Sequence, residues 1–345
     1  MKYFKLSIIV TILGLILVAI WGHYFNPDGI LKCLFITILL SILEISLSFD
    51  NAVVNAVKLQ TMTHKWQQRF LTWGILIAVF GVRFVFPILI VAIFSGLSVI
   101  TVTDLVFNDP DKYTYYLHQS HAAISAFGGM FLFMVFLNFM IDKEKDMHWI
   151  NIVEIQLSKL ARLKYLPTLI ALVSIIILHY ILPETEKDSV TIAGISGLIL
   201  YILINALSNW LEKVDNSDES VNLEEVVKQG GLISFLYLEL LDASFSLDGV
   251  VGAFAISNDI VIIAIGLCIG AMFVRSLTIY FVEKKTLLKY VYLKHGAHWA
   301  IGALAIIMLY QTIAEVSEII TGLIGVAFIG MSFFSSLKNR NKGQL

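Results

Sequence analysis

Two short stretches carry carboxylates inside otherwise apolar sequence. They are LEISLSFDNAVVNAV, Leu43 to Val57, and DASFSLDGVVGAFA, Asp242 to Ala255. Aligning Asp50 with Asp248 sets Glu44 opposite Asp242, Ser46 opposite Ser244, Ser48 opposite Ser246 and Asn51 opposite Gly249. Each copy therefore reads acid, five residues, Asp. With Asn51, Asn55 and the serines, these carboxylates form an all-oxygen donor set, which suits Mg²⁺, Ca²⁺ or Mn²⁺ rather than a soft metal. On one continuous helix, residues six apart lie about 120° and ~9 Å from each other, too far to share an ion. Either the helix breaks, for which Asn51, Asn55, Gly249 and Gly252 offer sites, or Asp50 and Asp248 converge from the two copies. The second geometry is the one we expect.

An ionised carboxylate at the centre of a membrane helix costs ~2.5–3.5 kcal/mol, so Glu44, Asp50, Asp242 and Asp248 would together cost on the order of 10 kcal/mol facing lipid. They must face a cation, water or one another. Arg83 and Arg275 are the internal counter-charges, and Glu239, one turn before Asp242, adds a fifth acid. Two buried salt bridges are the bland alternative. It leaves at least two acids unmatched, and buried ion pairs stabilise weakly.

The duplication extends beyond these stretches. Gly74 and Arg83 match Gly266 and Arg275, each glycine nine residues before its arginine, and HQSHAAISA from His118 matches HGAHWAIGA from His295. The pairs His118/His121 and His295/His298, at helical i, i+3 spacing, would stand at opposite mouths as ligands or pH-sensitive gates. Ordinary solvated interfacial histidines are the competing reading.

The elements that position these groups follow from composition. Of 345 residues, 58% are hydrophobic and 14% charged, and the mean hydropathy is +0.83. That balance is expected of an integral membrane protein. A formal charge of −2 offers no basic face for nucleic acid. Cys33 and Cys268 lack metal or redox spacing and read as packing residues. Lys2 and Lys5 before an apolar run resemble a signal peptide, but no small-x-small cleavage site follows, so the segment is expected to be a retained span.

Apolar segments near the ~20 residues a bilayer requires lie at 6–22, 31–57, 70–98, 120–141, 166–182, 191–210, 231–257, 259–282, 297–313 and 318–337. With a cytoplasmic N-terminus, the outside loops hold only Lys32, Lys112 and Lys187, and every other loop base falls inside. Ten spans with both termini cytoplasmic are therefore expected. The second and seventh spans then run in opposite directions, so the three-helix repeats are inverted about an axis in the membrane plane. The expected organisation is 1–30, a first helix and outer loop; 31–141, the first repeat; 142–230, an amphipathic segment, two spans and an acidic linker; 231–313, the second repeat; and 314–345, a last helix and basic tail. HWINIVEIQLSKLARL, from His148, reads as an interfacial or short cytosolic helix. The run from Glu212 to Val226 reads as a flexible linker.

In SLSFDNAVVNA, SFSLDGVVGAFAIS and the Gly74/Arg83 and Gly266/Arg275 pairs, the chain resembles the TerC family of bacterial membrane proteins, named for tellurium resistance, and especially its longer relatives. The likeness covers about residues 31–310. It implies a multi-pass protein of the bacterial cytoplasmic membrane, within a broader superfamily that includes lysine exporters. It further implies manganese export, with Asp50, Asp248, Glu44 and Asp242 as ligands of the transported ion. The N-terminal span and long charged inside connections depart from the short members.

The expectation is thus an all-α transporter that exports Mn²⁺ or a similar hard divalent cation by alternating access, with no prosthetic group. Asn51, Ser48 and Ser246 would supplement the acids, and Arg83 and Arg275 would balance them when the ion leaves. An exporter of an amino acid or small organic cation is the main rival. A tellurium-type protein with structural acids is another. An oxyanion carrier would need more central positive charge. No HExxH or GxSxG is present, so no enzyme is expected.

Overall fold

The computed structural model describes residues 3–24, 29–60, 62–74, 77, 81, 85–142, 147–160, 163, 165–215, 223–257, 259–284, 290–314, 316 and 318–342. Described residues form helices and connecting turns, without strands. In chain order the helices are α1 (Lys5–Tyr24), α2 (Ile30–Leu47), α3 (Phe49–Leu59), α4 (His64–Arg69), a π-helical turn (Phe70–Gly74), α5 (Phe86–Ser95), α6 (Val99–Asn108), α7 (Pro110–Met140), α8 (Asn151–Lys159), α9 (Leu166–Ile181), α10 (Lys187–Asp215), α11 (Leu223–Ile256), α12 (Ile260–Glu283), α13 (Leu293–Gln311) and α14 (Glu318–Lys342).

Among the described residues, five stretches are long and apolar enough to cross a membrane: Lys5–Tyr24, Ile30–Leu47, Pro110–Met140, Lys187–Leu207 and Ile260–Glu283. The expected spans 231–257, 297–313 and 318–337 fall on the continuous helices α11, α13 and α14, and others are divided or short. The run 31–57 is two helices, α2 and α3, and the run 70–98 contains the π-helical turn and α5, which ends where Gly96 adopts a left-handed φ of 71°. Helix α9 has 16 residues, about 24 Å of rise. The amphipathic segment forms α8, and residues 216–222 of the acidic linker lie outside the described residues.

Helix α7 is the central post. Its apolar window is 78% buried, against 22% for α1. Small residues bring its neighbours close: Gly197 of α10 abuts the Phe127 carbonyl, and a Cβ on Gly129 would stand 3.0 Å from Met308 Cβ of α13. Helix α14 seats Ser332 against Gly296 of α13. On the other side, α2 packs on α12, and α1 lies across both. Ser7 of α1 donates to the Met272 carbonyl at 2.6 Å and shares a 2.7 Å hydrogen bond with Ser276. In an apolar surrounding these pairs satisfy groups that lipid cannot.

Close backbone approach at Gly197 leaves no room for a side chain. Gly197→Val is expected to force α10 off α7 and to cost about 1–3 kcal/mol, read as a lowered thermal unfolding midpoint of the detergent-solubilised protein.

Candidate functional site

Between Glu44 and Asp50 the first motif helix is interrupted. Ser48, at φ −101° and ψ 13°, separates α2 from α3. The chain is not unwound there, because Ser48 N–H still donates to the Glu44 carbonyl at 2.9 Å and Ala52 N–H to the Ser48 carbonyl at 3.2 Å. The second copy lies in α11 without interruption. Glu44 is 1% exposed and its Oε1 accepts from Ser48 Oγ at 2.8 Å. Two glycines from different helices make its berth. A Cβ on Gly270 of α12 would stand 2.5 Å from Glu44 Cβ, and one on Gly249 of α11 would stand 3.1 Å from Glu44 Oε2.

Across from this, Asn51 Nδ2 of α3 donates to Asp242 Oδ1 of α11 in a short hydrogen bond, with both residues buried. The motif alignment relates these two contacts. Glu44 meets Gly249 and Asp242 meets Asn51, so the acid of each copy touches the residue that follows the Asp of the other. A second relation concerns the matched glycines. Ser41 Oγ donates to the Gly266 carbonyl at 3.1 Å, while a Cβ on Gly74 would stand 2.5 Å from Glu239 Oε1. Ser41 and Glu239 are themselves equivalent positions, nine residues before Asp50 and Asp248.

Glu239 is the acid with most at stake. Both its oxygens are buried with no hydrogen-bond partner among the described residues. The sequence places it one turn from Asp242, but its burial against Gly74 depends on a contact 165 positions distant, 239 − 74, that no local pattern reveals. Ser246 Oγ and Asn55 Oδ1 are likewise buried without hydrogen-bond partners. Ser46 faces outward and bonds to the Ile42 carbonyl, and Ser244 bonds to the Leu240 carbonyl.

Asp50 and Asp248 belong to α3 and α11. Their side chains, and Arg83 altogether, lie outside the described residues. Arg275 is half-buried on α12. Among the described residues, no three His, Cys, Asp or Glu side chains stand close enough together to hold a metal ion. What the described part of the site offers is a buried polar junction between α2, α3, α11 and α12.

The histidine pairs occupy unlike settings. His118 is exposed and His121 half-buried, and both line a cavity of about 570 Å³ between α7, the start of α10 and the end of α13. His295 is 4% exposed. Its Nδ1 stands 2.9 Å from Glu154 Oε2, and His298 stacks on Phe139 with ring centres 3.6 Å apart. Glu154, on α8 and 0% exposed, also accepts from Trp299 Nε1 at 3.0 Å and from the N–H groups of Trp149 and Ile150 at 3.2 and 3.3 Å. Sequence reading misses Glu154. Its side-chain partners His295 and Trp299 lie in α13, and no local spacing points to them.

Helices of this length and apolarity, packed through small residues and with their backbone groups bonded along the helix, define an all-helical membrane protein. The chain belongs to the family described as "Protein of unknown function (DUF475)", which matches residues 49–343. The matched region contains Asp50, Asn51, Asp242 and Asp248 and begins after Glu44. No curated protein and no solved structure matches the chain.

Removing the Glu154 carboxylate strands two indole and imidazole donors and two backbone N–H groups. Glu154→Ala is expected to cost about 3 kcal/mol, with Glu154→Gln losing less, as measured by thermal unfolding in detergent and by proteolysis at the Asp142–Tyr165 connection.

Proposed function

We propose that this protein is a transporter of Mn²⁺ or a similar hard divalent cation, built from two inverted repeats within ten membrane spans and sited in the bacterial cytoplasmic membrane with both termini inside. The observation that carries the reading is the crossed pair of contacts, Asp242 with Asn51 and Glu44 with Gly249. Contacts that exchange under the motif alignment are what a pseudo-twofold axis between the two copies would produce. Such an axis places the binding site of many secondary transporters at the repeat interface. The Ser41–Gly266 and Glu239–Gly74 contacts support the same axis.

The chemistry favours a hard cation. Glu44, Asp242, Glu239, Asn51, Asn55, Ser48 and Ser246 offer oxygen donors, and no cysteine or methionine has been drawn into the junction. Asp50 and Asp248 would complete the set by their place in the two motifs, and the resemblance to the TerC family assigns the same residues to manganese. In the proposed cycle the two repeats rock about the junction, Arg275 and Arg83 offset the acids when the ion leaves, and export is the working direction.

One observation favours a second reading. Ser48 and Asn51 already donate to Glu44 and Asp242, as they would if these acids were structural. The two readings part in one experiment. Mn²⁺ flux into proteoliposomes is expected for the wild type and to fall at least tenfold in Asp242→Asn and in Glu44→Gln, with Asp50→Asn and Asp248→Asn behaving alike. Mn²⁺ should also raise the unfolding midpoint of the wild type and not of Asp242→Asn. Absence of both effects in a folded wild type would leave the acids structural.

A further inference from the structure

The cavity at the His118 end has no part in the junction described above. It measures about 570 Å³ and is lined by His118, His121, Gln119, Glu186, Ser189 and Gln311, among others. That volume would admit a small organic molecule, but such sites are mostly apolar and aromatic. Among the described residues no Phe, Tyr or Trp lines the wall. No described Lys or Arg lines it either, which argues against an anion. Lys187, the base nearest Glu186 in sequence, pairs with Glu184 instead and holds the Glu184 carboxyl below its usual range.

Three features point to a cation. Glu186 supplies a carboxylate on the wall. Helix α13 ends at Gln311, so its C-terminal carbonyls, the negative end of the helix dipole, border the space. Gln311 itself is 7% exposed, and its Oε1 is buried with no hydrogen-bond partner among the described residues. An amide oxygen on the wall with nothing to accept from is a place for a donor. The donor need not be a bare ion. Among the described residues no three acids or histidines converge at ligand distance, while hard divalent cations give up water reluctantly.

From this we infer that the cavity binds a divalent cation with its water shell intact, the shell donating to Gln311, Glu186 and the imidazoles of His118 and His121. The site rests on the transport reading only for its purpose, which is to hold the ion at one mouth of the path. At the matched pair, His295 is bonded to Glu154 and His298 is stacked on Phe139.

Cobalt(III) hexammine tests the inference, because its ligands do not exchange and it can bind only through hydrogen bonds and charge. Calorimetric titration of the detergent-solubilised full chain should show saturable binding. Glu186→Gln and Gln311→Leu should each weaken it at least fivefold, and Asp242→Asn should leave it unchanged. No binding by the wild type, or binding that neither cavity variant weakens, would overturn the site. So would a loss equally produced by Asp242→Asn. Because the readout is binding of an inert complex, it stands apart from Mn²⁺ flux. Hexammine binding that depends on the cavity in a protein that moves no Mn²⁺ would retain the site and discard the transport role.

Discussion

The structure depends on the cost of holding carboxylates in an apolar interior. A buried acid must find donors or a cation, and in a membrane it cannot borrow them from solvent. Glu44 shows how the fold meets that demand. One oxygen takes the hydroxyl of Ser48 one turn along, and the side chain lies in a berth formed by two glycines on separate helices. A larger residue at Gly249 or Gly270 would press against the carboxylate, so the approach of α11 and α12 to α2 and the burial of Glu44 are one arrangement. The interruption at Ser48 belongs to it as well. By offsetting α3 from α2 it allows Glu44 to meet α11 and α12 while Asn51 reaches Asp242.

The sequence makes the chemistry legible and the geometry only partly so. Duplicated acids stand out because carboxylates are rare in apolar runs, and a repeat of acid, five residues, Asp needs no structure to be seen. Helices follow from apolar length: α12 falls within a residue of where its hydropathy puts it, while α7 starts ten residues before its apolar run and α10 extends beyond its own at both ends. The break at Ser48 is not legible, since every residue around it tolerates helix and the backbone there keeps its i to i−4 hydrogen bonds. Glu154 illustrates the other limit. Its amphipathic helix can be read from periodicity, yet the acid is defined by His295 and Trp299, 141 and 145 residues away. Long-range partners of this kind leave no trace in local spacing.

The two copies have diverged where the chemistry is most exposed to divergence. Position for position, Ser41 stands opposite Glu239 and Asn51 opposite Gly249. Ser41 satisfies itself by donating to the Thr37 and Gly266 carbonyls. Glu239, in the matching place beside Gly74, has no such outlet when ionised, since a carboxylate has nothing to donate. One half of the junction is therefore hydrogen-bonded at this level and the other retains unused acceptor capacity. A site that were purely structural would gain by replacing Glu239 with a serine like its counterpart.

The same divergence separates the two ends. The shared histidine motif starts at the ninth residue of α7 and the third of α13, and at α13 the helix α8 brings a carboxylate that closes over His295 and Trp299. Among the described residues no acid is hydrogen-bonded to His118, whose side chain stands exposed at the cavity it shares with Glu186. A symmetric pair of repeats would have no preference between its two mouths. Under the proposed transport reading, α8 would break that degeneracy by stabilising closure at one end through the Glu154 bonds to His295 and Trp299. In the alternating-access cycle proposed above, the resting conformation would be a matter of what α8 holds, and the 142–230 segment, outside both proposed repeats, would set the balance between them.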